Sequence, residues 1–300
     1  MRILSASETR QVLPFRPLIE TLRSVTKEFD QGHIVCPERL VVPTLGKKGV
    51  ILSMVACSTN IMAHKLLTIF ASNKEKPTLQ GQVTCLDAAD GSFLFALDGI
   101  TVTERRTAAI SLLALEIFQP QNLKSVLLIG TGAQAKVHLE ALNELYSGLT
   151  VFIRGRNAER VKAIVEGPYP NLTLIAEQNK EQHYDLVITL TSSKEVLYDQ
   201  IPSPDTLVIG VGAYRPDMIE IGHQVVNQSL CVVDDLVGAP EEAGDIIQAQ
   251  KEWKDVRKLS DFLENTQPIS QPIFFKSVGC AAWDLAACRL ALKKIDLTIQ

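Results

Sequence analysis

Between Lys124 and Tyr146 a short apolar run, Val126 to Ile129, breaks at Gly130, and a helical pattern begins three or four residues later. The intervening Gly130-Thr-Gly-Ala-Gln-Ala135 limits the fold more than any other segment, because it reads as a strand, a tight turn and a helix N-terminus. Gly130 permits the turn, Gly132 allows close approach of a pyrophosphate to the backbone, and Ala135 is small enough for the helix to pack on its strand. The free N–H groups and the positive end of the helix dipole favour an anion there. Glycine turns of this spacing also serve as plain connectors in α/β domains. In its strand–turn–helix setting the string predicts dinucleotide binding, with Gly130, Gly132, Ala133 and Gln134 against the cofactor.

The turn lies in mid-chain, so a second body must precede it. Arg16 to Phe29 places Leu18, Ile19, Leu22, Val25 and Phe29 on one helical face. Val50 to Ala56 and Leu66 to Phe70 read as strands. Gln82 to Leu86 and Phe93 to Leu97 flank Asp90-Gly91, a hairpin signal. An antiparallel sheet with a leading helix is therefore expected, followed by a long helix over Thr101 to Phe118, with Thr103 as its N-cap. From Lys124 short apolar runs alternate with helical stretches: Thr150–Ile153, Leu172–Ile175, Asp185–Leu190, Thr206–Gly210 and Cys231–Val233. Such runs suit parallel strands covered on both faces. Ser277 to Lys294 is helical again and is expected to return to the first body. The expected fold class is α/β, a Rossmann-type parallel-sheet domain (119–278) inserted into an α+β antiparallel-sheet domain (1–118 plus 279–300).

Composition excludes several classes. The 300 residues are 46% hydrophobic and 21% charged, with a net charge of −4, which gives no reason to expect nucleic acid or an acidic membrane as a partner. No apolar run approaches bilayer-spanning length, and Met1 to Val12 carries charges rather than the apolar core of a secretion signal. The six cysteines are scattered without a C-x-x-C pair and the five histidines lack metal-ligand spacing. Reduced thiols, a cytoplasmic location and no metal are the expectations.

The second strand of a Rossmann unit ends near the adenosine ribose, where NAD-preferring proteins place a carboxylate. Here Thr150-Val-Phe-Ile153 leads into Arg154-Gly-Arg156-Asn157, with no carboxylate at the tip. Two guanidinium groups there suit a 2′-phosphate, so NADPH is expected over NADH, the other reading being solvated loop charges. Thr189, Thr191 and Ser192 follow another parallel strand, where hydroxyls can bond ribose or nicotinamide, or serve an ordinary helix cap or turn.

Five short segments, in order, carry a resemblance over nearly the whole chain: Glu104-Arg-Arg-Thr-Ala-Ala109, Ile129 to Ala135, Val211-Gly-Ala-Tyr-Arg-Pro-Asp217, Glu242-Ala-Gly-Asp245, and Phe275-Lys-Ser-Val-Gly279 with Asp284. The chain resembles the ornithine cyclodeaminase/mu-crystallin family. The resemblance implies a Rossmann domain inserted into a homodimer-forming antiparallel domain, a nicotinamide cofactor, and a small imino- or amino-acid substrate with an α-carboxylate beside a C–N centre. It also implies that Arg39, Lys65 and Arg106 form a carboxylate pocket, and that Val211, Lys276, Val278 and Gly279 lie near the cofactor. The residues themselves leave room for local salt bridges. Lys65 stands at the entry to an apolar strand, where it either snorkels to water or pairs with an anion, and Arg39 follows Glu38. Arg106 sits in the first turns of the long helix beside an apolar run, and Arg105 should point about 100° away and be structural.

Cyclodeaminases of the family carry an aspartate in the Val-Gly-Gly/Ala-Asp stretch that serves the substrate amine; here the residue is Tyr214. A tyrosine with an ordinary pKa near 10 is a poor general base. An imine reductase needs no such base, and Tyr214 can line the ring of its substrate. The implied activity is NAD(P)H-dependent reduction of Δ1-pyrroline-2-carboxylate to L-proline, or of the six-membered homologue to L-pipecolate. Ornithine cyclodeaminase, an amino-acid dehydrogenase and a mu-crystallin-like NADPH-dependent ligand-binding protein are the alternatives.

Overall fold

The computed structural model describes residues 1–46, 48–179, 182–265 and 267–299, the side chains of 296–299 excepted. Two compact units are present, one made of Met1–Ala109 with Gly279–Gln300 and the other of Ile110–Val278.

The first unit opens with β1 (Arg2–Ile3) and α1 (Ala6–Val12), a helix whose start is written in the sequence. Ser5 and Glu8 form a reciprocal capping box, with Ser5 Oγ accepting from the Glu8 amide. Next comes α2 (Phe15–Asp30), on which Phe15, Leu18, Ile19, Leu22 and Val25 are buried. Each contributes about 1.5–3 kcal/mol by leaving water. Then follow β2 (Leu40–Pro43), β3 (Val50–Cys57), β4 (Ile61–Ile69), β5 (Leu79–Asp87) and β6 (Phe93–Asp98). The sheet order is β1-β6-β5-β4-β3-β2, antiparallel except for the β1–β6 pair. The helix after it, α3 (Gly99–Ile117), begins earlier than its sequence pattern predicts. Its cap is Asp98, which accepts from Thr101 N at 2.8 Å and Thr101 Oγ1 at 2.6 Å, whereas Thr103, the expected cap, donates back to the Gly99 carbonyl. The division between the units falls inside α3. The C-terminal helix Ala281–Ile299, labelled α9 in chain order, packs on α2 and on β3, β4 and β5, with Trp283 fully buried edge-on to Phe29.

The second unit is a doubly wound sheet. In chain order it contains β7 (Ser125–Ile129), α4 (Ala133–Leu145), β8 (Leu149–Arg154), α5 (Ala158–Val165), β9 (Leu172–Ala176), β10 (Leu186–Thr189), β11 (Lys194–Tyr198), β12 (Leu207–Gly210), β13 (Ile219–Ile221), α6 (His223–Gln228), β14 (Leu230–Val233), α7 (Ala239–Glu242), α8 (Gly244–Gln248), β15 (Arg257–Lys258) and β16 (Ile273–Lys276). The main sheet runs β15-β14-β16-β12-β10-β7-β8-β9, every pair parallel, and β11 pairs with β13 separately. Strand order reverses between β7 and β10, the place where open α/β sheets bind ligands beyond their strand C-termini. Strands β10, β12 and β16 are buried at every residue, in keeping with cover on both faces. The sequence did not announce β16, β11 or β13. All six cysteines are free thiols, and among the described residues no helix is long and apolar enough to cross a membrane.

Candidate functional site

In the first unit the sheet turns a lysine inward. On β4, Ile61, Ala63, Lys65 and Leu67 are buried while the alternate residues are half-exposed. Lys65 thus lies in mid-strand on the core face, between Met54 of β3 and Val83 of β5. Its position at a strand entry is corrected: the strand starts at Ile61, and Met62 and His64 on the other face hide the alternation. An ammonium this deep needs an anion. Asp284, in the first turn of α9, supplies it, with Lys65 Nζ 2.7 Å from Asp284 Oδ2 and both side chains 1% exposed. A carboxylate in that first turn is also favoured by the helix dipole. Burial pushes the Lys65 pKa down to about 8; Asp284 opposes that shift, while Arg106 and Arg39 add to it.

Arg106, on α3, is buried, with Nε 3.6 Å from Asp284 Oδ1. The end of its guanidinium lies against Gly279, where an added Cβ would come within 2.5 Å of Nη1. Gly279 also has φ +73°, so glycine is required there on two counts. Arg39 Nη2 donates to the Gly279 carbonyl at 2.7 Å. The first unit therefore brings Arg39, Lys65 and Arg106 together around Gly279 and Asp284. Lys65 and Arg106 share the Asp284 carboxylate, and a cluster of cations of this kind suits a small anion. Arg105 points elsewhere: its Nε donates to the Leu13 carbonyl at 2.6 Å and its guanidinium stacks 3.8 Å from the Phe15 ring centroid.

In the second unit the glycine turn has the geometry a pyrophosphate needs. Gly130 has φ +135°, and a Cβ there would strike the Leu190 carbonyl at 2.9 Å. Gly132 caps α4 without any side-chain hydrogen bond, and open space surrounds it. The first amides of α4, from Ala133 and Gln134, are thus presented unblocked. Gln134 Oε1 is buried without a hydrogen-bond partner, and Ala135 is fully buried against the sheet. These features fit a dinucleotide.

Other expected cofactor residues have different work. Arg154 is bound at both edges by Glu177, with Nε and Nη2 each 2.5 Å from a carboxylate oxygen, and Nη1 donates to the Leu197 carbonyl. The parallel pairing of β8 with β9 brings Glu177 beside it, so the guanidinium expected at a 2′-phosphate is engaged by a carboxylate of the same unit. Asn157 N-caps α5 by accepting from Arg160 N, so its side chain is also committed. Arg156 is exposed. Thr189 is fully buried and gives its hydroxyl to Glu220, and Thr191 Oγ1 accepts from Ser193 N in a local turn, which leaves Ser192 exposed. Val211 N donates to the Thr189 carbonyl. Lys276 is a buried ion-pair partner of Asp245 at 2.8 Å. Val278 is held by Asp234, which accepts from its amide at 2.9 Å and from Ser277 Oγ at 2.7 Å. Tyr214 is 40% exposed on the loop after β12, leaving its ring open to a ligand.

Sequence reasoning gave no role to Asp284, although it stood among the family-like segments, and missed Glu220 and Asp234 altogether. A first-turn acidic residue ahead of a small-residue helix was the available signal for Asp284. Glu220 and Asp234 offered none.

The profile of the ornithine cyclodeaminase/mu-crystallin family matches residues 2–296. The chain belongs to that family. It is 42% identical over 294 residues to the Delta(1)-pyrroline-2-carboxylate/Delta(1)-piperideine-2-carboxylate reductase of Azospirillum brasilense, covering 96% of this chain and 94% of the relative. It is 41% identical over 296 residues to Delta(1)-pyrroline-2-carboxylate reductase 2 of Burkholderia ambifaria, covering 97% and 95%. Among solved structures, that of the Thermococcus litoralis Delta(1)-pyrroline-2-carboxylate reductase in complex with NADH and L-proline has the same fold, with a TM-score of 0.88 at 23% identity over 98% of this chain and 97% of that one.

Proposed function

We propose that this member of the family is an NAD(P)H-dependent reductase of a cyclic imine carboxylate, converting Δ1-pyrroline-2-carboxylate to L-proline and accepting the six-membered homologue. The observation that carries the reading is the 42% identity, over almost the full length of both chains, to a reductase named for those two substrates. The gathering of Arg39, Lys65 and Arg106 in the first unit supports it.

In this reading Arg106 and Arg39 hold the substrate carboxylate, Arg106 through the planar fork that suits it. Lys65 adds a third positive charge and, with its pKa near 8, keeps a proton at neutral pH that it can yield to the ring nitrogen. Asp284 keeps Lys65 charged and aimed. A bound reduced nicotinamide would supply the hydride that the C=N carbon needs. Gly130, Gly132, Ala133 and Gln134 hold the pyrophosphate, with Ser192, Val211, Val278 and Gly279 as further contacts, and Tyr214 lines the ring. No carboxylate occupies position 214, which disfavours cyclodeamination. NADPH is favoured over NADH because the tip of β8 carries exposed Arg156 and no free carboxylate. A homodimer and a cytoplasmic location complete the proposal.

The test is a substrate panel: purified protein with NADPH or NADH and with pyrroline- and piperideine-2-carboxylate, following the absorbance of reduced nicotinamide. Oxidation that depends on imine, with proline or pipecolate as product, is expected. Ammonia release from ornithine with NAD and no external reductant, or tight NADPH binding with no imine turnover, would overturn the reading.

A further inference from the structure

The second unit contains a buried polar cluster that the proposed chemistry does not use. Glu220, on β13, is fully buried, yet four donors converge on its carboxylate. Oε2 accepts from Thr189 Oγ1 at 3.0 Å, Gly212 N at 2.7 Å and Ala213 N at 3.1 Å, and Oε1 accepts from Thr191 N at 2.6 Å. Behind it Asp245 Oδ1 accepts from the amides of Glu220 and Ile221 at 2.7 and 2.9 Å, and Asp245 Oδ2 pairs with Lys276.

These donors come from two loops that leave the C-terminal ends of neighbouring strands, β10 and β12, where Thr189 stands beside Gly210. The first loop is tied to the glycine turn, and the second is tied to the first. Leu190 N donates to the Ile129 carbonyl at 2.8 Å, and the Leu190 carbonyl fills the space of a Gly130 Cβ. Gly212 packs backbone-to-backbone on Thr191, where a Cβ would lie 1.9 Å from the Thr191 carbonyl. The result is a continuous row from the glycine turn through 190–191 and 212–213 to Glu220, Asp245 and Lys276. It spans the C-terminal ends of β7, β10, β12 and β16, the edge on which such a sheet receives its nucleotide.

We propose that Glu220 is a positioning residue for the nucleotide: its carboxylate fixes the 190–192 loop against the glycine turn and so shapes the surface that the nicotinamide half of the cofactor meets. The proposal rests on the functional reading above. A carboxylate is needed because all four partners are donors. In Glu220→Gln the amide nitrogen cannot accept. Turned toward Thr191 it sets two donors face to face; turned the other way it faces three. The first choice costs less, so the 190–192 loop is released while Gly212 and Ala213 keep their acceptor.

The test compares wild type with Glu220→Gln in three readouts: Kd for NADPH, KM for NADPH, and KM for pyrroline-2-carboxylate, together with the melting temperature. The expected result is a rise of about tenfold in both nucleotide constants, the loss of one charge-assisted hydrogen bond, with the imine KM changed by no more than about threefold. Should Glu220→Gln fail to fold, Thr189→Val removes one donor and adds none, and should raise the nucleotide constants about threefold in the same selective way. A folded Glu220→Gln that binds NADPH as wild type does, or nucleotide and imine constants that move together, would overturn the proposal. Wild type that binds no nucleotide would instead end the functional reading itself.

Discussion

The Lys65–Asp284 pair yields a stability prediction with a definite pH window. In the wild type, burial, Arg106 and Arg39 lower the Lys65 pKa and Asp284 raises it, with a balance near 8. Asp284→Asn removes that opposing charge. An opposite charge at hydrogen-bonding distance shifts a pKa by about 1–3 units, so the lysine of the variant should titrate about 1–3 units below 8. Each unit is worth about 1.4 kcal/mol. The sign follows from proton counting. Below the variant's own lysine pKa both folded proteins carry the proton, and the variant is less stable by the full amount, about 1.4–4 kcal/mol. Between that pKa and 8 the folded variant has already released its proton while the folded wild type has not, and the difference shrinks by about 1.4 kcal/mol per pH unit. Above 8 both folded forms are neutral at Lys65 and its contribution to the difference vanishes. Urea unfolding of both proteins at pH 5, 6, 7, 8 and 9 measures this directly. A stability difference that is flat across that range would refute the claim that Asp284 is what keeps Lys65 charged.

Three further outcomes are expected. Arg106→Ala should lower kcat/KM for the imine by about 10- to 100-fold, since charge-assisted hydrogen bonds contribute about 1.5–3 kcal/mol, while NADPH binding stays near wild type; steady-state kinetics with each ligand varied will show it. Arg156→Ser should weaken NADPH binding with little effect on NADH, whereas Arg154→Ser, which takes the guanidinium from Glu177 and leaves that carboxylate with the Tyr184 hydroxyl, should lower the melting temperature and affect both nucleotides alike; equal losses for both nucleotides in Arg156→Ser would remove Arg156 from the phosphate site. His138 Nδ1 must donate to the Gln134 carbonyl at 2.8 Å, which leaves Nε2 to accept from Ser111, and burial lowers the histidine pKa to about 4. The unfolded chain therefore binds this proton first, and stability should fall by about 3 kcal/mol as pH drops from about 6.5 to 4, a loss that His138→Gln should largely abolish in acid-unfolding curves.

What the sequence revealed follows the reach of each interaction. Local signals were legible: the glycine turn and α4, the Asp90-Gly91 hairpin between β5 and β6, the amphipathic face of α2. Fold class followed from the change of grammar at Lys124. Short strands with no period were not legible. Strand β16 is Ile-Phe-Phe-Lys, four residues without flanking alternation, and it becomes a strand only because β12 and β14 accept it between them. The Arg154–Glu177 pair was hidden for the same reason. Its tip showed no carboxylate in sequence, yet Glu177, just past β9, is delivered to it by a parallel pairing that no local pattern records. Ile219-Glu-Ile221 read alone is an alternating strand with an outward glutamate; the four donors that hold Glu220 inside come from loops at 189–191 and 212–213.

Two lysines state the distinction that sequence alone does not make. Lys65 and Lys276 are both wholly inside their units and each pairs with an aspartate, at 2.7 and 2.8 Å. Around Lys276 the neighbours are carboxylates: Asp245 Oδ2 pairs with it, Asp245 Oδ1 accepts from two backbone amides, and Glu220 accepts from backbone amides and the Thr189 hydroxyl. Around Lys65 two further cations, Arg106 and Arg39, lower its pKa, and Asp284 raises it. A buried cation beside two carboxylates is held by them, whereas a buried lysine with two guanidinium groups near it is the better place for an added anion, which is why the proposed substrate carboxylate is set against the first unit.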